Sequence, residues 1–173
     1  QGVVYESYDM SALPEYTVGG TMHIIVNNQV AFTTDPRFSR SSDYCTDVAK
    51  GVDGPIFHVN GDDVEAVCEA MKLAVEYRQA WKSDCVVDIV CYRKFGHNEI
   101  DEPMFTQPLM YQVIKKHPNV LDLYTKKLKS EGTVSDAEID AVKESCRAIL
   151  NEEFEAGKTY EPAPRDWLAS HWE

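Results

Sequence analysis

No apolar run in this sequence approaches the roughly 20 residues a bilayer crossing needs, so no membrane insertion is expected. It has no CxxC pair and no Cys/His cluster at zinc-finger spacing, and its five cysteines, Cys45, Cys68, Cys85, Cys91 and Cys146, form an odd set. They read as reduced thiols in a non-secretory compartment. Neither a GxGxxG nor a Walker-type loop is present, which speaks against a generic nucleotide-binding domain. Positive charge is scarce: 17 Lys and Arg stand against 29 Asp and Glu, a formal net charge of −12. Phosphate backbones and anionic lipid surfaces need a basic face that this composition does not supply, so nucleic acid is not an expected partner. Gln1 is not an initiator Met and follows no targeting segment, so the chain reads as an internal fragment.

What is present fits one α/β domain, or part of one: 173 residues, 43% hydrophobic and 27% charged. Pro14 and Gly19-Gly20 punctuate a turn ahead of His23-Ile24-Ile25-Val26, a short apolar run that reads as a buried strand. Residues 33–47, rich in Ser, Thr, Asp, Arg and Pro, read as a long surface loop of the kind that carries function. A second apolar run covers 55–59, after which Asn60-Gly61-Asp62-Asp63 supplies a turn and helix-capping carboxylates. Val64, Val67, Cys68, Met71, Ala74, Val75 and Trp81 then recur at helical intervals, and residues 85–91 form a third, β-branched run. Strand, helix, strand in this order predicts a βαβ unit within a parallel sheet flanked by helices.

A second polar loop covers 92–107, and helices are expected over 109–116, 120–130 and 136–154. Ser135 with Glu138 three residues on is a capping box for the last of these. The chain thus divides into an α/β part (1–118), a helical extension packed outside the sheet (119–159) and a linker or docking strap (160–173) that holds two Trp and two Pro.

Both polar loops follow strands, and ligands bind at the carboxyl ends of strands in parallel α/β sheets. Asn28 ends the first strand and Val30 lies two residues on, so the Asn28 side-chain oxygen and the Val30 main-chain carbonyl can converge on one hard cation such as Mg²⁺. The same dipeptide, Asn27-Asn28, equally reads as a strand cap and turn. His97, in Gly96-His97-Asn98-Glu99, is placed either to bind an anion or to move a proton. Asp101, Glu102 and Pro103 read as loop-ordering residues, through caps and ion pairs with Arg93 or Lys94. His58 reads as a satisfied strand-end histidine, and His23 and His117 as structural. Arg37, Arg40, Ser41 and Ser42 either meet a carboxylate or phosphate or simply order their loop.

The stretches GGTMHIIVNNQVAFTTDPRFSRSSDYCTDVAK, PIFHVNGDDVEAV, VVDIVCYRKFGHNEIDEPMFTQPLMYQVI and RDWLASHW resemble the thiamine diphosphate-dependent, decarboxylating first components of 2-oxoglutarate dehydrogenase complexes over nearly the whole chain. In such enzymes the cofactor motif opens with Gly-Asp-Gly or a near variant and closes at an Asn, here NNQ. The residues QGVVYE match the middle of that motif, so its opening Gly-Asp is expected just before Gln1.

The resemblance implies a thiamine diphosphate-binding, transketolase-like fold. It implies Mg²⁺ held by the Asn28 side chain and the Val30 carbonyl, a place where the family often has Ile, and His97 at the cofactor's diphosphate with a tentative catalytic role. It further implies oxidative decarboxylation of 2-oxoglutarate with succinyl transfer to lipoyl groups, as in the tricarboxylic acid cycle. The implied partners are a lipoyl-bearing succinyltransferase and dihydrolipoyl dehydrogenase, within a homodimer of the full-length chain. The mitochondrial matrix is the implied compartment, or the cytoplasm for a bacterial form. The catalytic Glu of the pyrimidine-binding domain is not among these residues, so the fragment alone is expected to be inactive. Two rivals stay open: the 2-oxoadipate dehydrogenase component of lysine degradation, which shares the GHNE and DEP segments, and a catalytically inactive scaffold of such a complex.

Overall fold

The structure, a computed structural model, describes residues 2–162. Residues 163–173, with the RDWLASHW segment and most of the expected strap, lie outside the described residues. The chain splits into two compact units, residues 1–124 and 125–173.

The first unit is built on three strands, β1 (Met22–Asn27), β2 (Ile56–Asn60) and β3 (Cys85–Val90). All pair in parallel in the order β1-β3-β2, with β3 central. Helix α2 (Val64–Trp81) is the crossover from β2 to β3. Its start is fixed by Asp63, whose carboxylate accepts from the Ala66 N–H at 3.0 Å. Its end is fixed by Lys82, at φ 53° with its N–H on the Arg78 carbonyl. The apolar face of α2 covers one side of the sheet, where Ala74, Val59, Cys85 and Val87 form a buried cluster. The other side is covered by α1 (Gly2–Asp9) and the 3₁₀ turns over Cys45–Val52, through Tyr8, Ala49 and Val86. Helix α1 has little local signal, with a Gly and two β-branched residues in eight positions. The burial of Tyr8 against the sheet outweighs its weak propensity.

β1 departs from the buried strand expected of its apolar run. Ile24 and Val26 are 48% and 65% exposed, because β1 is an edge strand and on this face only Met22 joins the cluster under α2. Ile25, pointing the other way, packs beneath Tyr8 and Val86. Two carboxylates tie polar groups into the sheet. Asp84 accepts from the Thr21 N–H (2.8 Å) and from His23 Nε2 (2.9 Å), and the fully buried Asp88 accepts from Thr46 Oγ1 (3.3 Å) and His58 Nδ1 (2.9 Å). His23, His58 and His117, the last on Asp62 at 2.7 Å, are therefore satisfied structural histidines; His58 sits in mid-strand rather than at its end.

Helix α3 (Pro108–Ile114) closes the second polar loop, and α4 (Val120–Glu131) begins in the first unit and ends in the second. The second unit continues with α5 (Asp136–Gly157), whose Ser135–Glu138 capping box is fully formed, and an ion pair joins Lys129 to Asp136. Val142, Ile149, Leu150 and Phe154 of α5 are exposed.

Candidate functional site

The carboxyl ends of β1 and β3 carry the two polar loops side by side. Leaving β1, the chain makes an Asx turn in which Asn28 Oδ1 accepts from the Val30 N–H at 3.1 Å. The turn and cation readings of this dipeptide are thus compatible: one lone pair of Oδ1 is taken by the turn and one is left. Among the described residues no donor reaches the Val30 carbonyl. These two oxygens suit a hard cation as half of its shell. No group of three or more His, Cys, Asp or Glu that could hold a metal occurs among the described residues, so the two oxygens stand as a half site.

The same turn is strained. Gln29 and Phe32 have φ of 61° and 54°, two of the four non-glycine residues in the left-handed region among the described residues. For a bulky side chain such a conformation costs roughly 1–2 kcal/mol and persists only where the surroundings impose it. Here three ties do so. Gln29 Nε2 donates to the Cys91 carbonyl beyond β3 (2.9 Å), Gln107 Nε2 donates to the Thr34 carbonyl (3.1 Å), and the Phe32 ring meets the His97 ring edge-on with centroids 5.0 Å apart.

The second loop is set by Gly96, at φ 81°, where an added Cβ would lie 3.0 Å from the Pro103 side chain. Glu102 caps the short 3₁₀ turn Pro103–Phe105 by accepting from the Met104 N–H at 3.0 Å. Tyr111 O–H donates to the Arg93 carbonyl at 2.8 Å. The expected ion pairs of Asp101 and Glu102 with Arg93 or Lys94 do not form among the described residues; the cap and the tyrosine order the loop instead.

Two cavities flank the Asn28–Phe32 turn. One, about 250 Å³, is lined by Val30, Phe32, His97, Glu102, Gln107 and Tyr111. The other, about 300 Å³, is lined by Asn28, Val30, Arg40, Tyr44, Cys45 and Val90 among others. Val30 borders both, so Asn28 and Val30 face one space while Val30 and His97 share the next. The Cys45 thiol is pushed up by burial and by Asp88, which keeps it protonated and non-nucleophilic at neutral pH.

Of the first loop's cations, Arg37 is committed, since its guanidinium forks onto Asp35 at 3.0 and 2.9 Å and holds that carboxyl below its ordinary range. Arg40 lines the larger of the two cavities, and its buried Nε has no acceptor among the described residues. Ser42 Oγ is spent on the Tyr44 carbonyl at 3.1 Å.

With this geometry in hand, residues 1–165 match the family described as dehydrogenase E1 component. The chain belongs to that family. Among curated E1 relatives it is 56% identical to the mitochondrial 2-oxoglutarate dehydrogenase of Schizosaccharomyces pombe over 172 residues, 99% of this chain and 17% of that protein. It is 53% identical to the mitochondrial 2-oxoglutarate dehydrogenase of Saccharomyces cerevisiae over 173 residues, all of this chain and 17% of that protein. It is 52% identical to the 2-oxoglutarate dehydrogenase E1 component of Brucella anthropi over 172 residues, again 17% of that protein. The E1 chain described here therefore spans 17% of the length of these relatives.

Phe32 and Gln107, which join the two loops of this E1 chain, are not marked as site residues by any local pattern in the sequence; the segments Phe32-Thr33-Thr34-Asp35 and Thr106-Gln107-Pro108 carry only a likeness to the 2-oxoglutarate branch over the 2-oxoadipate one. Only the left-handed backbone at Phe32 and the pairing across the sheet top mark them.

Proposed function

We propose that the full-length protein carrying this chain is a thiamine diphosphate- and Mg²⁺-dependent first component of a 2-oxo acid dehydrogenase complex, acting on 2-oxoglutarate. The observation that carries this reading is the convergence of the Asn28–Val30 turn and the His97 loop over the carboxyl ends of β1 and β3. The names of the relatives point to the same substrate.

When bound, thiamine diphosphate supplies a nucleophilic ring carbon and an electron sink for loss of CO2 from a 2-oxo acid. The chain's own residues hold and orient. Asn28 Oδ1 and the Val30 carbonyl would hold Mg²⁺ and through it the diphosphate, with a carboxylate completing the shell. His97, exposed and lining the 250 Å³ cavity, would bind the diphosphate as a donor, and holding or passing a proton at that ring is its second, tentative role. Arg40 is the first-loop cation left free for an anion. The products are CO2 and a succinyl group, transferred as the lipoyl disulfide of a succinyltransferase partner takes up two electrons and is later reoxidised by dihydrolipoyl dehydrogenase. A homodimer of the full-length chain supplies the pyrimidine-binding domain with its Glu. The mitochondrial matrix is the compartment in a eukaryote and the cytoplasm in a bacterium. Residues 1–118 belong to the diphosphate-binding domain, 119–159 form a helical extension, and 160–173 serve as a linker or docking strap.

The test is to measure Mg²⁺-dependent binding of thiamine diphosphate to the full-length protein, then CO2 release from 2-oxoglutarate and from 2-oxoadipate. Preference for 2-oxoglutarate supports the proposal, preference for 2-oxoadipate moves the protein to the lysine-degrading branch, and absence of cofactor binding makes it an inactive scaffold. The 173-residue chain alone should release no CO2 from either acid, and turnover by it would contradict the assignment of the missing groups.

A further inference from the structure

Phe32 contributes to neither core cluster and is 61% exposed, yet its backbone is held in the left-handed region that a phenylalanine rarely adopts. Burial does not explain that strain. What the strained turn accomplishes is to carry the Phe32 ring across to the second loop, where it meets His97 at 5.0 Å and an interplanar angle of 78°. An Ala31–Thr34 bridge closes the turn beneath it, and the buried amide of Gln107 fastens the Thr34 carbonyl from the far side. Both rings line the same cavity.

We propose that Phe32 is a positioning residue for His97, holding the imidazole in one orientation over the cavity that the two rings share, with Gln107 locking the turn that presents it. An exposed histidine on a polar loop otherwise samples several rotamers, and an edge-to-face aromatic neighbour removes that freedom before any ligand arrives. The turn that carries Phe32 begins at Asn28, so the cation-binding oxygens and His97 belong to one braced unit. An anion held by a cation at Asn28 and Val30 would then find the imidazole already aimed. This rests on the proposed diphosphate site and adds to it a residue that touches neither metal nor cofactor.

The experiment uses the full-length protein with Phe32→Ala, Phe32→Tyr, His97→Gln and the double variant Phe32→Ala/His97→Gln. Thiamine diphosphate affinity is read by calorimetry in the presence of Mg²⁺, and kcat and KM are followed across pH. Expected are a roughly tenfold loss of cofactor affinity in Phe32→Ala, the reach of one aromatic pair, and a displaced pH limb, namely the one that His97→Gln removes. Phe32→Tyr restores both, and the double variant is no worse than His97→Gln alone. Losses that add in the double variant, or an unshifted pH limb in Phe32→Ala, overturn the inference and leave the diphosphate site standing. A His97→Gln protein that binds and turns over like the parent overturns the inference and the His97 assignment together.

Discussion

The carboxylate of Asp88, wholly buried at the centre of β3, accepts a hydrogen bond from His58 Nδ1 on β2 at 2.9 Å, and Tyr44 stacks on that imidazole with centroids 4.1 Å apart. With Thr46 Oγ1 on the same oxygen, one acid moors the first loop to the sheet beside the cavity that Asn28 lines. Asp88→Ala strands two donors, which should cost about 2–3 kcal/mol locally. That corresponds to roughly 30- to 150-fold faster amide exchange across the segment 44–60 in the full-length protein. Asp88→Asn, which keeps an acceptor oxygen, should lose much less. Equal exchange in both variants would remove the mooring role.

Tyr8 presents the opposite case, a buried hydroxyl with no partner among the described residues. Burial, followed by the nearby Asp84 charge, pushes its phenol up to about 12. The unfolded phenol ionises near 10, so the folded state favours the proton. The stability it contributes is complete below about pH 10 and is lost as the pH rises towards about 12. Tyr8→Phe removes the unsatisfied oxygen and should leave stability unchanged or raise it by up to about 1 kcal/mol. It should also abolish the tyrosinate absorbance that appears latest in an alkaline titration. A clear loss of stability in Tyr8→Phe would reveal a partner for the hydroxyl.

The βαβ core is legible in the sequence because each part is stated locally: β-branched runs for β2 and β3, helical spacing for α2, and the Ser135–Glu138 box for α5. The exposure of Ile24 and Val26 is not, since an apolar run does not say whether its strand is central or at an edge. Half of the candidate site is equally local, because Asn28 and Val30 lie in one turn. The other half depends on contacts such as Gln107 to Thr34, 73 residues apart, which no local pattern specifies. Arg37 and Arg40 look alike in sequence, and only the placement of Asp35 commits one and leaves the Nε of the other without an acceptor among the described residues.

Gly20 sits where the chain enters β1, at φ 82°, and a Cβ there would lie 2.5 Å from the Ser83 carbonyl oxygen. The obstruction is backbone and cannot swing aside, while the Gly20 carbonyl is itself held by Arg78 Nε at 2.9 Å. Gly20→Ala should therefore destabilise the β1–β3 pairing by about 3 kcal/mol or more, combining a disfavoured φ with a clash. Gly19→Ala, with φ 78° but only the Arg78 guanidinium end 3.7 Å away, should cost about 1–2 kcal/mol. Amide exchange of Met22–Asn27 separates the two. Similar protection in both variants would mean that the Ser83 approach is readily relieved.

The cation half site makes a sharper demand, because its two oxygens differ in kind. At Val30 the proposed ligand is a main-chain carbonyl, so Val30→Ile should leave the Mg²⁺ affinity of the full-length protein, measured at saturating thiamine diphosphate, within about twofold of the parent. At Asn28 the proposed ligand is the side chain, which also accepts from the Val30 N–H at 3.1 Å and so holds the Val30 backbone in place. Asn28→Ala removes both functions and should weaken Mg²⁺ binding by roughly 10- to 100-fold, the scale of a lost charge-assisted contact. Asn28→Asp keeps an acceptor for the turn and an oxygen for the metal, so it should bind within about tenfold of the parent. This variant separates the two roles: Asn28→Asp failing as badly as Asn28→Ala would show that the amide, not its oxygen, is what the site requires. A Val30→Ile loss matching that of Asn28→Ala would instead place the Val30 side chain, and not its carbonyl, at the metal.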